Sequence, residues 1–379
     1  MKKLLITLTA TVLSLSSLAQ SALDKALSKA KKENKLVFVD TYFTGCIPCE
    51  QMDREVFPNA IVSKEMEKNF VMLKINVFTE KLGDTIKVQH ILNGFPTFLV
   101  LNSKGDLVSS VSGFKDPGDL ISFLDNAKLR AKKGQFHLGY SSTYNEKDYP
   151  AFYIEFAKTR KGITPQNLKE YSDGLKDFKA KNSLLPFLIA RTTKEKVSEE
   201  VLKDYNTYAN LYGEEVLQPV VDRALTAAAQ NKLNSSSSKN DFDAFLTSYQ
   251  SKFPADRWKI NLQTLGSKFY LEMKKDTAGY LNFAISNPVL YQYHFTALAS
   301  TLTAKRQLQG ETAKLFLQWA NAIVNEESSM EIIKNAASLN KRIGNNEGYK
   351  KFMQMAINRA KKYAMPYQEM EESLKLASK

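Results

Sequence analysis

Leu36-Val37-Phe38-Val39-Asp40-Thr41-Tyr42-Phe43-Thr44-Gly45-Cys46-Ile47-Pro48-Cys49 is the stretch that decides the fold. Its first four residues are an unbroken apolar run rich in β-branched side chains, the pattern of a strand buried on both faces. The chain's only two cysteines close the stretch. Met52, Val56 and Phe57 follow them at helical spacing. Strand, short turn and a helix opening on Cys-x-x-Cys place a thiol where unpaired backbone N–H groups and the positive end of the helix dipole meet it. Both lower its pKa from about 8.5 toward neutrality.

Working outward, Ser21 to Lys35 reads as an amphipathic helix with Leu23, Ala26, Leu27 and Ala30 on one face. Pro58-Asn59 breaks the helix after the cysteines, and another begins near Ala60. Phe70 to Val77 reads as a strand and Asp84 to Ile91 as a short helix. Thr97 to Leu101 and Leu107 to Val111 read as strands joined by the turn Asn102-Ser103-Lys104-Gly105. Asp116-Pro117 is an N-cap with proline at the first helical position, opening a helix to about Ala131. Strands separated by helices pair parallel, and the late hairpin pairs antiparallel. The expectation is a mixed central sheet flanked by helices.

Residues 132–142, with Gly134 and Gly139, read as a linker. From 143 to 379 helical spacing dominates, giving an all-helical domain, bundle or short solenoid. Breaks recur near Gly162 to Pro165, Ser183 to Pro186, Asn234 to Asn240, Phe253-Pro254, Asn287-Pro288, Glu326 to Ser329 and Gly344 to Asn346. Gly344, Tyr349 and Ala356 partly fit one tetratricopeptide helix pair, too few for a stacked array.

At 379 residues the chain exceeds a typical single domain, and 43% apolar residues with 22 Phe fill real cores. The net charge of +13 is spread thinly and forms no compact basic run, so nucleic acid is not an expected partner. Met1-Lys2-Lys3, an apolar stretch from Leu4 to Leu18 and small residues before Gln20 read as a signal peptide over 1–19. No cysteine lies near that cut, which excludes a bacterial lipid anchor, and no later segment reaches spanning length. The expectation is a periplasmic or secreted protein with no membrane span after signal removal. Disulfides persist outside the cytosol. A three-residue separation closes too small a loop to staple a chain of this length, so reactivity explains the pair better than stability.

Asp40 to Cys49, the later Gly94-Phe95-Pro96-Thr97, and Gly113-Phe114 before the last α/β helix together resemble the thioredoxin superfamily. The chain is most similar to exported thioredoxin-like domains, such as the soluble C-terminal domain of membrane disulfide reductases. Those share a lead-in helix ending like Lys31 to Lys35 and an extra helix like Ala60 to Asn69. The resemblance covers about 21–131 within an expected domain of 20–131, and says nothing of 143–379.

It implies Cys46 as the attacking cysteine and Cys49 as the resolving one. It implies Asp40, six residues before Cys46, as a buried carboxylate assisting the resolving thiol. Lys74 matches the lysine that often faces that carboxylate, and Pro96 matches the cis-proline opposite the disulfide. Gly45 stands where many members carry Trp, and Glu50 where lysine is common. A negative charge at Glu50 opposes the helix effect on the thiolate.

From the residues themselves, Asp40 interrupts an apolar strand. It is either a proton acceptor with a raised pKa or a strand end facing water. Lys74 is either its partner or a residue on a wet face. A zinc half-site would need more ligands than His90, His137 and His294, which are far apart in sequence. Copper handling has only Met52 near the motif. Tyr205, Tyr208, Tyr212, Tyr291 and Tyr293 are packing residues or a groove.

The functional expectation is thiol–disulfide exchange with protein clients carrying disulfides or thiols. It leans toward reduction because Pro48 resembles the reducing members, is fed by an upstream electron donor protein, and requires no cofactor. The alternative is a protein-binding helical scaffold with a thioredoxin-like tethering or redox-sensing domain.

Overall fold

The computed structural model describes residues 21–190, 194–304 and 308–377. The segment 1–19 read as a signal peptide lies outside them, as does the side chain of Tyr293. The first helix, α1 (Ala22–Glu33), starts at a Ser21–Asp24 capping box, and Asn34 in the left-handed region (φ 53°) turns the chain into a strand. That strand, β1, runs from Leu36 to Tyr42. Then come α2 (Ile47–Gln51), continued by a π-helical turn over Met52–Val56, and α3 (Ala60–Asn69), capped by Asn59. β2 (Phe70–Asn76), α4 (Lys81–Gln89), β3 (Thr97–Leu101), β4 (Leu107–Ser112) and α5 (Pro117–Lys132) complete an α/β unit. Asp116 caps α5 by accepting the Asp119 N–H at 2.9 Å.

Among the described residues one sheet of four strands forms, in the order β2-β1-β3-β4. β1 pairs parallel with β2 and antiparallel with β3, and β3 pairs antiparallel with β4. β1 continues through Asp40 because it is laddered on both sides, opposite Lys74 and Phe98. Asp40 is therefore inside a central strand and only 2% exposed, and the strand-end alternative does not hold.

Strand alternation divides the sheet into two faces. Phe38 and Phe98 turn to one face and pack with Met52, Val56, Val62, Leu120 and Leu124, so α2, α3 and α5 cover it. Val37, Val39, Ile75 and Leu99 turn to the other face, where α1 and α4 lie. That second core does not end with the α/β unit. It runs on through Tyr153, Phe187, Tyr208, Leu225 and Phe242 of the helical region without a break. Full burial of side chains of this size contributes about 1.5–3 kcal/mol each, and the sheet and the first helices behind it share that core.

Residues 132–142, expected as a linker, are held on both sides. His137 N–H donates to Leu107 O at 2.7 Å, and Gly139 N–H to Leu211 O at 2.9 Å. Tyr140 donates its hydroxyl to Tyr212 O at 3.0 Å. The ring nitrogens of His137 lie 2.9 Å from Asn210 O and 3.3 Å from the Arg130 guanidinium. Because Arg130 has only donors, Nδ1 carries the proton toward Asn210. Gly139 serves close approach rather than flexibility, since a Cβ there would lie 2.7 Å from the Tyr212 ring. The helix Ala151–Thr159 (α6) then seals α4, with Tyr153 Oη donating to Val88 O at 2.8 Å.

Helices from Thr277 onward enclose a separate core built on Tyr280, Phe295, Trp319, Ile333 and Phe352. The partial tetratricopeptide spacing falls on the antiparallel pair Met330–Arg342 and Asn346–Lys362. This C-terminal part meets the α/β unit again at the start of α5. Arg359 lies 2.8 Å from Asp116 and 2.7 Å from Asp119. Asn59 Nδ2 donates to Tyr363 O at 2.8 Å. Among the described residues no helix is long and apolar enough to cross a membrane.

Candidate functional site

The site is built where three loops converge at one end of the sheet. β1 delivers Phe43 to Gly45, and Cys46 N–H donates back to Phe43 O at 3.1 Å. Gly45 has φ +85°, and a Cβ there would meet nothing within 4 Å. The glycine is required by backbone conformation, which lets the chain turn directly into α2. The second loop, Gly94-Phe95-Pro96, precedes β3 and contains a cis Phe95–Pro96 bond. Thr41 fastens it to β1 by donating its hydroxyl to Thr97 O at 2.7 Å. The third loop follows β4, and Gly113 N–H donates to Pro96 O at 2.7 Å.

Cys46 is the N-cap of α2, and Cys46 and Cys49 are joined as a disulfide. The Cys49 N–H points at Cys46 Sγ at 3.3 Å, with Pro48 inside the first turn. A sulfur in this position receives a backbone donor and the helix dipole. The bond leaves neither cysteine at the surface. Cys46 is 2% exposed and Cys49 3%, because the bond ties the Cys46 sulfur back over the first helical turn. Ile47 between them is 76% exposed and stands at the tip.

Asp40 lies on the sheet face that α2 covers. Among the described residues its Oδ1 is buried without a hydrogen-bond partner. Lys74, its neighbour in register, brings Nζ to 3.7 Å from Asp40 Oδ2. Desolvation is the main cause that raises the Asp40 pKa to about 6, with Lys74 acting against it and Asp53 adding to it. Lys74 makes a much closer ion pair with both carboxylate oxygens of Asp53, and its ammonium lies 4.7 Å from the Tyr42 ring centroid. Asp53 was not singled out from the sequence. The available signal was its place four residues after Cys49, one helical turn further along.

The matching family is described as a thioredoxin-like domain, and the match covers residues 23–128. Residues 23–128 are a thioredoxin-like domain. No curated protein matches the chain. The thioredoxin-like domain carries its Cys-x-x-Cys pair at the helix start, and the region behind it is predominantly helical.

The surface beside the pair is apolar. Phe43, Phe78 and Phe95 form a cluster with ring centroids 5.3–6.0 Å apart. Phe78 is 55% exposed, and Phe114 of the third loop is also exposed. These rings supply an aromatic surface at a site where Gly45 offers none. Sequence reading missed Phe43 and Phe78, since each sits alone in its loop and only the fold brings them together.

The other candidates lie elsewhere. His90 is buried at the end of α4 beside Tyr140, and burial lowers its pKa to about 4. His137 pins the segment after α5, and burial likewise lowers its pKa to about 4. His294 stacks on Tyr291 in the helical region. Tyr205, Tyr208 and Tyr212 are buried packing residues, and Tyr291 donates its hydroxyl to Asp222 at 3.0 Å.

Proposed function

We propose that this protein is an exported thiol–disulfide oxidoreductase that exchanges disulfides with client proteins and works mainly as a reductase. The observation that carries the reading is the Cys46–Cys49 disulfide at the start of α2 in a thioredoxin-like domain. An apolar rim of Ile47, Phe78 and Phe114 beside it suits an unfolded or extended protein client.

In the reducing direction the Cys46 thiolate attacks a client disulfide. A mixed disulfide forms and one client thiolate leaves. Cys49 then loses its proton to the Asp40 carboxylate and attacks Cys46 Sγ. The second client thiolate leaves and the Cys46–Cys49 bond re-forms. Two electrons have passed to the client, and a dithiol donor protein must restore them. Asp40, with a pKa of about 6, is ionised at neutral pH and still basic enough to accept that proton. Lys74 tempers its charge, and the cis Pro96 matches the proline that the family places opposite its disulfide. Export rests on the 1–19 segment, and the reductase direction on Pro48.

Insulin reduction by the purified protein tests the reading. Activity is lost in Cys46→Ser, and Cys49→Ser accumulates mixed disulfides with clients. Full activity in Cys46→Ser ends the proposal.

A further inference from the structure

Around Asp40 the charges thin out from the interior toward solvent. The Asp40 side chain is 3% exposed, Lys74 31% and Asp53 45%. The Lys74 ammonium sits between two carboxylates, yet the sharing is unequal. Both oxygens of Asp53 grip it closely, whereas Asp40 Oδ2 is 3.7 Å away, beyond a hydrogen bond. The Tyr42 ring on its other side adds to the hold.

We propose that Asp53 is a positioning residue that holds Lys74 away from Asp40, so that the buried carboxylate lacks a full counter-ion and is ready to take the proton of Cys49. This rests on the exchange mechanism proposed above and adds to it a residue that adjusts its pH range.

Other neighbours do not take this part. Phe98 of β3 faces Asp40 across the ladder. Leu120 and Leu124, which α5 turns to this face, are apolar, as are Met52 and Val56 of the π turn. Lys74 from β2 and Asp53 from the π turn are therefore the charged groups that bear on Asp40 among the described residues, and they adjust a proton affinity that desolvation raises first. The place of Asp53 is specific. It lies one turn beyond Cys49 on the helix that carries the reacting sulfurs, while Lys74 is fixed by strand register. Neutralising Asp53 has two effects of one sign. A like charge near Asp40 disappears, and Lys74 is released to close on Asp40. Both favour the ionised carboxylate.

The test is the titration of the Asp40 side-chain carbon by NMR in the oxidised protein, alongside the pH profile of disulfide exchange. Asp53→Asn keeps the shape of the side chain and removes its charge. The Asp40 midpoint is expected to fall by about half a unit or more, and the acid limb of exchange to move down with it. Asp53→Glu restores the wild-type midpoint, and Glu50→Gln, an exposed charge on the same helix, leaves it in place. An unchanged midpoint in folded Asp53→Asn overturns the proposal, and so does an equal shift in Glu50→Gln. If Cys46→Ser retained full activity, the exchange mechanism would fail separately, while the Asp40 titration would still decide whether Asp53 controls that carboxylate.

Discussion

Replacing Arg359 with methionine is expected to loosen the C-terminal helices from the rest of the protein, and to do so more at high pH than at low. The Arg359 side chain is 1% exposed and is the cation shared by Asp116 and Asp119. It also donates to Glu326 O at 3.4 Å. Asp116 additionally accepts the N–H of Met330 at 2.7 Å, so the cluster joins the cap of α5 to the helix Met330–Arg342. Methionine fills much of the space but leaves two carboxylates without their counter-charge. Removing one partner of a buried ion pair costs about 3–5 kcal/mol.

One guanidinium does not fully compensate two carboxylates. Burial first, then the Asp116 charge, pushes the Asp119 pKa up from 3.8 to about 6 despite Arg359. A rise of that size corresponds to about 3 kcal/mol. The folded state thus binds more protons than the unfolded state between about pH 4 and 6, and this group's contribution to stability falls as pH rises through that window. Without Arg359 the window extends upward, so the variant loses more stability at pH 8 than at pH 5. Two tryptophans make the loss local, because Trp258 lies in the core shared with the sheet and Trp319 in the C-terminal core. Urea unfolding in Trp258→Phe and Trp319→Phe backgrounds reads each core separately. The Arg359→Met transition is expected to move chiefly at Trp319. A loss under about 1 kcal/mol at pH 8, the range of exposed pairs, refutes the reasoning, as do equal losses at pH 5 and pH 8.

Asp40→Asn removes a carboxylate that is 2% exposed and whose pKa is raised to about 6. The oxidised variant should be more stable than the native protein at pH 8 by about 1–3 kcal/mol, with the gain vanishing by pH 4. Urea titration at both pH values checks this, and a gain independent of pH contradicts it. Gly139→Ala forces a Cβ to within 2.8 Å of Leu211 O and 2.7 Å of the Tyr212 ring. It should lower stability by about 1–3 kcal/mol, read as a downward shift in thermal midpoint, whereas Gly134→Ala, at a position open to solvent, should lower it less.

Sequence carried the α/β unit because its determinants are local. The run Leu36 to Val39, the Asn102 to Gly105 turn and the Asp116-Pro117 cap each announce an element within a few residues. Asp40 and Lys74 were also within reach, since parallel register aligns them once the strands are named. Contacts set by tertiary approach were out of reach. Asp116 was legible as a helix cap, but its second partner, Arg359, lies 243 residues away. Asp53 has an ordinary place on an exposed turn, and only the packing of α2 over β2 gives it Lys74. The segment 132–142 misled because glycine is used for opposite ends. At Gly134 it supplies a positive φ of 67°, and at Gly139 it admits the Tyr212 ring.

The placement of the helical region explains how so large an addition leaves Ile47 and Phe78 exposed. It binds the sheet face opposite α2 through the core that continues from Val39 and Ile75 to Tyr153 and Phe187. Its C-terminal part hydrogen-bonds to the front at Asn59 and at the cap of α5. Neither attachment covers Ile47 or Phe78, which stay exposed at the rim. The second attachment nevertheless adjoins the site, for Asp116 follows the loop whose Gly113 bonds to Pro96 and whose Lys115 N–H reaches Met52 Sδ at 3.5 Å. A cap held by Arg359 restrains that loop from outside the thioredoxin-like domain. The helical region is therefore joined to the surroundings of the disulfide at two places, through the core shared with the sheet and through the Arg359 cluster beside one of the three loops.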